Sequence, residues 1–211
     1  MSLLRSLLAL ESAVPDGKSK QELELVFYAR LINPEALSAL AVRSESQEQY
    51  AYRSDKGTIR MRAVTFKRGD YESTEDTYIL TTKVWDGKSF GKRETEVTSS
   101  LGMFEDFKLL FPTGMYKRRY VLPFAFETTP LVYEVDVFFT EDGQVQPWVK
   151  IDLELPEHLV SRRHEFGLPT NLQYGETVVT QFGERTNEEE VKIKQLYSEF
   201  FSTIPSSKPT F

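Results

Sequence analysis

In this chain of 211 residues, charged side chains recur two positions apart inside segments rich in Val, Ile, Thr, Tyr and Phe, and nearly every such pair carries one sign. Glu22 and Glu24 form one pair, Arg60 and Arg62 another, then Glu94 and Glu96, Lys117 and Arg119, and Glu134 and Asp136. Lys150, Asp152 and Glu154 close the series, and Lys83 stands as a lone cation among Thr81, Thr82 and Val84. Side chains at i and i+2 of a β-strand share a face, so each pair belongs to one face of its strand. The opposite face is apolar: Leu23 and Leu25, Ile59 and Met61, Tyr133, Val135 and Val137, and Ile151, Leu153 and Leu155. Alternation alone requires only an antiparallel sheet with one wet face. An ordinary wet face, however, mixes Thr, Ser, Gln and Lys freely, whereas like charges two apart repel. The pattern therefore favours a sheet closed into a barrel with its charges inside and its apolar face outside, beneath amphipathic helices.

Expected strands run over residues 21–31, 57–66, 78–85, 89–97, 116–124, 132–139 and 146–155, with turns at Lys56-Gly57, Asp86-Gly87 and Asp142-Gly143. Helices are fewer. Pro34 opens a short one to Ala41, Ser100 to Phe111 is a second, and Glu157 to Phe166 a third. Asn187 to Phe201 is the best, with an acidic first turn of Glu188, Glu189 and Glu190 ahead of an apolar stripe of Ile193, Leu196, Tyr197, Phe200 and Phe201. The expected fold class is α+β: an eight-stranded antiparallel barrel flanked by helices. Residues 1–20 read as an amphipathic helix and a turn-rich linker, 21–202 as the domain, and 203–211 as a loose tail.

Composition narrows the function. Thirty-two acids against 26 bases give a net charge of −6, which argues against a general nucleic-acid coat. The chain has no cysteine, so disulfides, thiolate metal sites and cysteine nucleophiles are excluded. It has no apolar run long enough for a transmembrane helix and no secretory signal, so a cytoplasmic protein without membrane partners is expected. His158 and His164 lie six apart, a poor spacing for shared metal ligation on one helix face. Gly87 and Gly91 do not form a phosphate-binding glycine loop, Phe104, Phe107 and Phe111 are spaced for helix burial, and Arg162-Arg163-His164 reads as an exposed face.

Charges inside a barrel persist only when paired or when they bind something charged. The carboxylates Glu22, Glu24, Glu94, Glu96, Glu134, Asp136, Asp152 and Glu154 would hold a hard divalent cation, Mg²⁺ or Mn²⁺. The cations Arg60, Arg62, Lys83, Lys117, Arg119 and Lys150 would hold phosphate. Together they describe a site for a polyphosphate with its metal.

These same residues carry a resemblance to the CYTH superfamily, the triphosphate tunnel metalloenzymes. QELELVFYARL with Glu22 and Glu24 resembles the family's first Glu-x-Glu-x-Lys strand, TIRMR its Arg-x-Arg strand, ILTTK its lysine strand with Lys83, and KRETEV its Glu-x-Glu strand. KRRY, YEVDVF and VKIDLELP follow in family order, the matches spanning residues 21 to about 156. The resemblance implies a tunnel that binds a nucleoside triphosphate, inorganic triphosphate or thiamine triphosphate-like molecule with Mg²⁺ or Mn²⁺, nucleic acid entering only as a 5′-triphosphate end, in a monomer or homodimer. It implies a hydrolase in which Glu22, Glu24, Lys83 and Arg119 serve catalysis. The same motifs leave open an adenylyl cyclase or a non-catalytic nucleotide or polyphosphate binder. Two positions depart from the family pattern. Val26 stands in place of the first strand's lysine, and Asp152 in place of a glutamate; Arg30 has the parity to replace the lost cation but lies too far along the strand.

Overall fold

A computed structural model describes residues 16–69, 71–85, 92–180 and 186–201. The expected N-terminal helix, the Asp86-Gly87 turn and the expected tail lie outside the described residues. Eleven strands form one antiparallel sheet among them. The strands are β1 (Asp16–Glu22), β2 (Glu24–Leu31), β3 (Arg43–Ser54), β4 (Gly57–Arg68), β5 (Tyr71–Glu72), β6 (Thr77–Val84), β7 (Lys92–Thr98), β8 (Gly114–Phe126), β9 (Thr129–Phe139), β10 (Val145–Glu154) and β11 (Tyr174–Thr180). Helices α1 (Ala36–Leu40), α2 (Leu101–Leu110) and α3 (Asn187–Phe201) are joined by a 3₁₀ segment over Glu157–Glu165, where the sequence had suggested a longer α-helix.

The α+β class holds, but the eight-stranded barrel does not. Hydrogen bonding follows an open path of ten strands, β1-β7-β6-β4-β3-β8-β9-β10-β2-β11, with the short β5 pairing β4 off that path. The chain explains why the path stays open. β1 pairs β7, whereas β2, separated from β1 by Leu23 alone, pairs β10 on one edge and β11 on the other. The edge of β2 that would complete a ring is thus taken by β11. A single residue still ties one end of the path to the neighbourhood of the other, so the sheet is curled about its charged face. Residues expected to be a linker supply β1. The polar segment RSESQEQYAYRS, not expected as a strand, supplies β3 between β4 and β8.

The two faces separate as the alternation requires. Leu25, Phe27, Ala29, Val135, Val137, Ile151 and Leu153 form the main apolar core on the convex face with Leu37 of α1 and Leu159 of the 3₁₀ segment. A second cluster joins Tyr50, Met61 and Ala63 to Phe104 and Phe107 of α2, whose first turn is capped by the Ser100 hydroxyl accepting from the Met103 N–H. Helix α3 sits elsewhere. Its Ile193, Leu196 and Phe200 pack on Tyr28, Met115, Phe138 and Trp148, residues sharing strand parity with the charged series, so α3 covers one end of the concave face. Thr186 and Glu189 begin it with reciprocal bonds: the Thr186 N–H donates to Glu189 Oε2 at 2.8 Å and the Glu189 N–H to Thr186 Oγ1 at 3.2 Å. None of the described helices is long and apolar enough to cross a membrane.

Close strand packing also fixes one backbone position at the site. A Cβ added to Gly57 would lie 2.2 Å from the Lys83 carbonyl oxygen, so β4 and β6 approach here only because Gly57 has no side chain. Gly57→Ala is expected to lower stability by about 1–3 kcal/mol through forced separation of the strands. Chemical denaturation measures the loss, and an unchanged midpoint would show that the strands can part without cost.

Candidate functional site

The charged side chains meet in two linked groups on the concave face. On β4, β6 and β7, Arg60 Nη2 lies 3.6 Å from Glu94 and 3.7 Å from Glu96, and Lys83 Nζ lies 3.5 Å from Glu94. Arg62 pairs with Glu96 and donates to Thr81 Oγ1 at 3.1 Å, while the fully buried Thr81 hydroxyl donates to Glu96 at 2.8 Å. On β8, β9 and β10, Arg119 clasps Asp136 with Nε to Oδ1 at 2.7 Å and Nη2 to Oδ2 at 3.0 Å. Arg119 also pairs with Glu134 and lies 3.7 Å from Asp152. Lys117 pairs with Asp136, and Lys150 with Asp152. Register sets these partners, because Arg119 stands opposite Asp136, Asp136 opposite Lys150, and Lys83 opposite Glu94.

β3 joins the two groups. Glu45, Gln47 and Gln49 are buried on its concave side, opposite Arg119, Lys117 and Met115. Gln47 donates to Glu45 at 2.8 Å, and Glu45 pairs with Arg43 at 3.0 Å. The side-chain carbonyl oxygens of Gln47 and Gln49 and the Nε groups of Arg60 and Arg62 are buried without a hydrogen-bond partner.

A cavity of about 120 Å³ opens between the sheet and α3. Four cations line it, Arg53, Arg60, Lys83 and Lys150, against a single acid, Glu24. Thr58, Thr81, Trp85 and Tyr197 complete the wall. Of the residues expected from sequence, Glu24, Arg60, Lys83 and Lys150 line the cavity, and Arg62, Glu94, Glu96, Lys117, Arg119, Glu134, Asp136 and Asp152 lie in the ion-pair groups beside it. Glu154 is exposed at the end of β10, opposite Glu24, and the Glu22 side chain lies outside the described residues. Sequence reasoning missed Glu45, Gln47, Gln49 and Arg53 of β3, which share one strand parity but form no like-charge pair, and Tyr197 of α3, which only tertiary docking brings in.

Burial and crowding set the titration of these groups. Burial, reinforced by Arg119 and opposed by Asp136, pushes the Lys117 ammonium down to about 7. Burial alone would raise the Asp136 carboxyl, but Arg119 and Lys117 hold it well below the usual carboxylate range. Asp152 is raised to about 6 by burial, with Glu24 and Asp136 acting in the same direction and Lys150 against. Burial lowers Arg62 to about 10, and Arg60 adds to the effect. Asp152 is held by the Lys150 ammonium and lies 3.7 Å from the Arg119 guanidinium, so a divalent cation would have to displace these nitrogen cations to reach it. No three carboxylates or histidines converge among the described residues as a ready-made metal cage.

No known family model matches the chain, and no curated protein matches it. Among solved structures it is similar to the PH1819 protein of Pyrococcus horikoshii OT3, with 15% identity over 82% of this chain and 99% of that chain and a TM-score of 0.42.

The Lys117 value fixes a sign. A lysine held near 7 in the fold and at about 10.4 when unfolded leaves the unfolded chain with more bound protons between those limits, so its contribution to stability improves as pH rises through that window. The melting temperature is expected to gain from this term between pH 7 and 9.5, and Lys117→Met to remove the gain. An identical pH slope in both proteins would contradict the assignment.

Proposed function

We propose that the concave face binds a triphosphate and, with a divalent cation, hydrolyses it. One observation carries the reading: a cavity of about 120 Å³ walled by Arg53, Arg60, Lys83 and Lys150 against Glu24 alone. Arg60, Lys83 and Lys150 have Glu94, Glu96 and Asp152 as partners beside the cavity, and on the cavity wall itself cations outnumber acids, which favours entry of an anion. Arginines bind phosphate oxygens in pairs and lysines act as point charges, so Arg60, Arg62, Lys83 and Lys150 would neutralise the phosphate chain while Lys117 and Arg119 extend the cationic row.

The acidic side supplies the complement. Since no three carboxylates converge among the described residues, Mg²⁺ or Mn²⁺ would enter with the triphosphate and take one or two further oxygens from Glu24, Glu134 or Asp152, and the ion would stabilise charge developing on the transferring phosphoryl oxygens. Phosphate entering the cleft would draw Lys150 and Arg119 from their carboxylates and leave Asp152 and Glu134 available. This reading agrees with the resemblance to the triphosphate tunnel family, with a hydrolase as its first chemistry and a cyclase as its nearest variant.

A second reading rests on the ion pairs themselves. Glu94, Glu96, Glu134, Asp136 and Asp152 each face a cation already, an arrangement that serves a binding module without turnover equally well.

The test is product analysis with tripolyphosphate, ATP and other nucleoside triphosphates, in Mg²⁺ or Mn²⁺. Orthophosphate release is expected, lost in Arg60→Ala by at least about 100-fold, the scale of one removed charge-stabilising contact, and also strongly reduced in Glu134→Gln. Binding without turnover selects the module, and pyrophosphate with a cyclic nucleotide selects the cyclase. A protein that neither binds nor turns over any triphosphate overturns the proposal.

A further inference from the structure

We propose that Arg53 and Tyr197 are ligand-contacting residues, so that the C-terminal helix α3 completes the phosphate site. The inference rests on the triphosphate reading above and assigns it two residues outside the charged strand pairs. Arg53 continues the concave parity of Glu45, Gln47 and Gln49 along β3, and its register partner Thr58 lines the same cavity. Tyr197 reaches the cavity from α3. The two meet there, with the Arg53 guanidinium 4.5 Å from the centre of the Tyr197 ring.

That stacking has a consequence for binding. A guanidinium resting against an aromatic ring loses less rotamer freedom when it grips phosphate oxygens. Tyr197 is fixed in turn by an edge-to-face contact with Tyr28, the ring centres 6.0 Å apart. Burial would raise its phenol, yet Lys150 and Arg53 bring it below its ordinary value, which makes the hydroxyl a better donor to an anionic oxygen.

Val26 fits the same arrangement. It packs on the apolar cluster that seats α3, together with Tyr197, and stands opposite Asp152 and Thr180 in the register. A long cation at position 26 would take the place of that packing beneath the helix. With that place given to packing, Arg53 on the facing wall supplies a cation to the cavity instead.

The test is calorimetric titration of the full chain with tripolyphosphate, in wild type, Arg53→Gln, Tyr197→Phe, Tyr28→Phe, Arg60→Ala and the surface control Glu190→Gln on α3. Arg53→Gln and Tyr197→Phe are each expected to weaken binding about 10- to 100-fold, the range for losing one hydrogen bond to a charged group. Tyr197→Phe keeps the ring but gives up the hydrogen bond between the Tyr197 and Tyr28 hydroxyls, so Tyr28→Phe, which loses the same bond and leaves the Tyr197 hydroxyl in place, should bind as the wild type does and separates the ligand contact from that internal bond. Glu190→Gln should bind as the wild type does. If wild type binds and Arg60→Ala does not, while Arg53→Gln and Tyr197→Phe bind normally, this inference fails and the triphosphate reading survives. If wild type itself does not bind, both fall.

Discussion

Arg119 stands across from Asp136 in the β8–β9 register and closes two hydrogen bonds on its carboxylate, while Lys117, Glu134 and Asp152 crowd the same pair. Removing such charges from water costs several kcal/mol per ion, a cost met only by good geometry and additional hydrogen bonds. A well-packed apolar substitute of the same volume would commonly be as stable or more so. On the reading proposed above, a chain that keeps cations and carboxylates interleaved across the concave face does so for what the charges bind. The sheet, its curvature and its helices follow from keeping this polar face partly sheltered.

Shelter comes from both sides. On the convex face α1, α2 and the 3₁₀ segment bury the alternate side chains of the same strands, so each strand contributes to the core with one parity and to the site with the other. On the concave face α3 covers the end where Tyr28, Phe138 and Trp148 replace charges, and Phe138 and Phe200 stack there with ring centres 3.8 Å apart. The concave face is thus apolar beneath the helix and cationic beyond it. Tyr197 stands at the boundary.

Most of this was legible because strand parity is a strict code. Glu134 and Asp136 cannot share a face with Val135, and the apolar partners of the charge pairs are the residues found in the convex core. The helix over Asn187–Phe201 was readable from its acidic first turn and its stripe. β3 was harder, since Arg43 to Tyr50 lacks the apolar alternation that marks a strand; besides Tyr50 its buried positions are Glu45, Gln47 and Gln49, polar residues whose burial depends on the neighbours β4 and β8. Closure was not legible either. Whether β2 gives its second edge to β7 or to β11 is a matter of tertiary pairing, and the resemblance to a closed tunnel pointed to the former. Arg53 and Tyr197 come together only through the docking of α3.

The central claim is that the concave face grips a phosphate chain, and phosphorus-31 NMR of tripolyphosphate titrated with the full chain observes that chain directly. The terminal and middle phosphorus signals should both shift or broaden as protein approaches stoichiometry, because cations line the cavity on several walls. Signals that stay sharp and unmoved in excess protein would contradict the account.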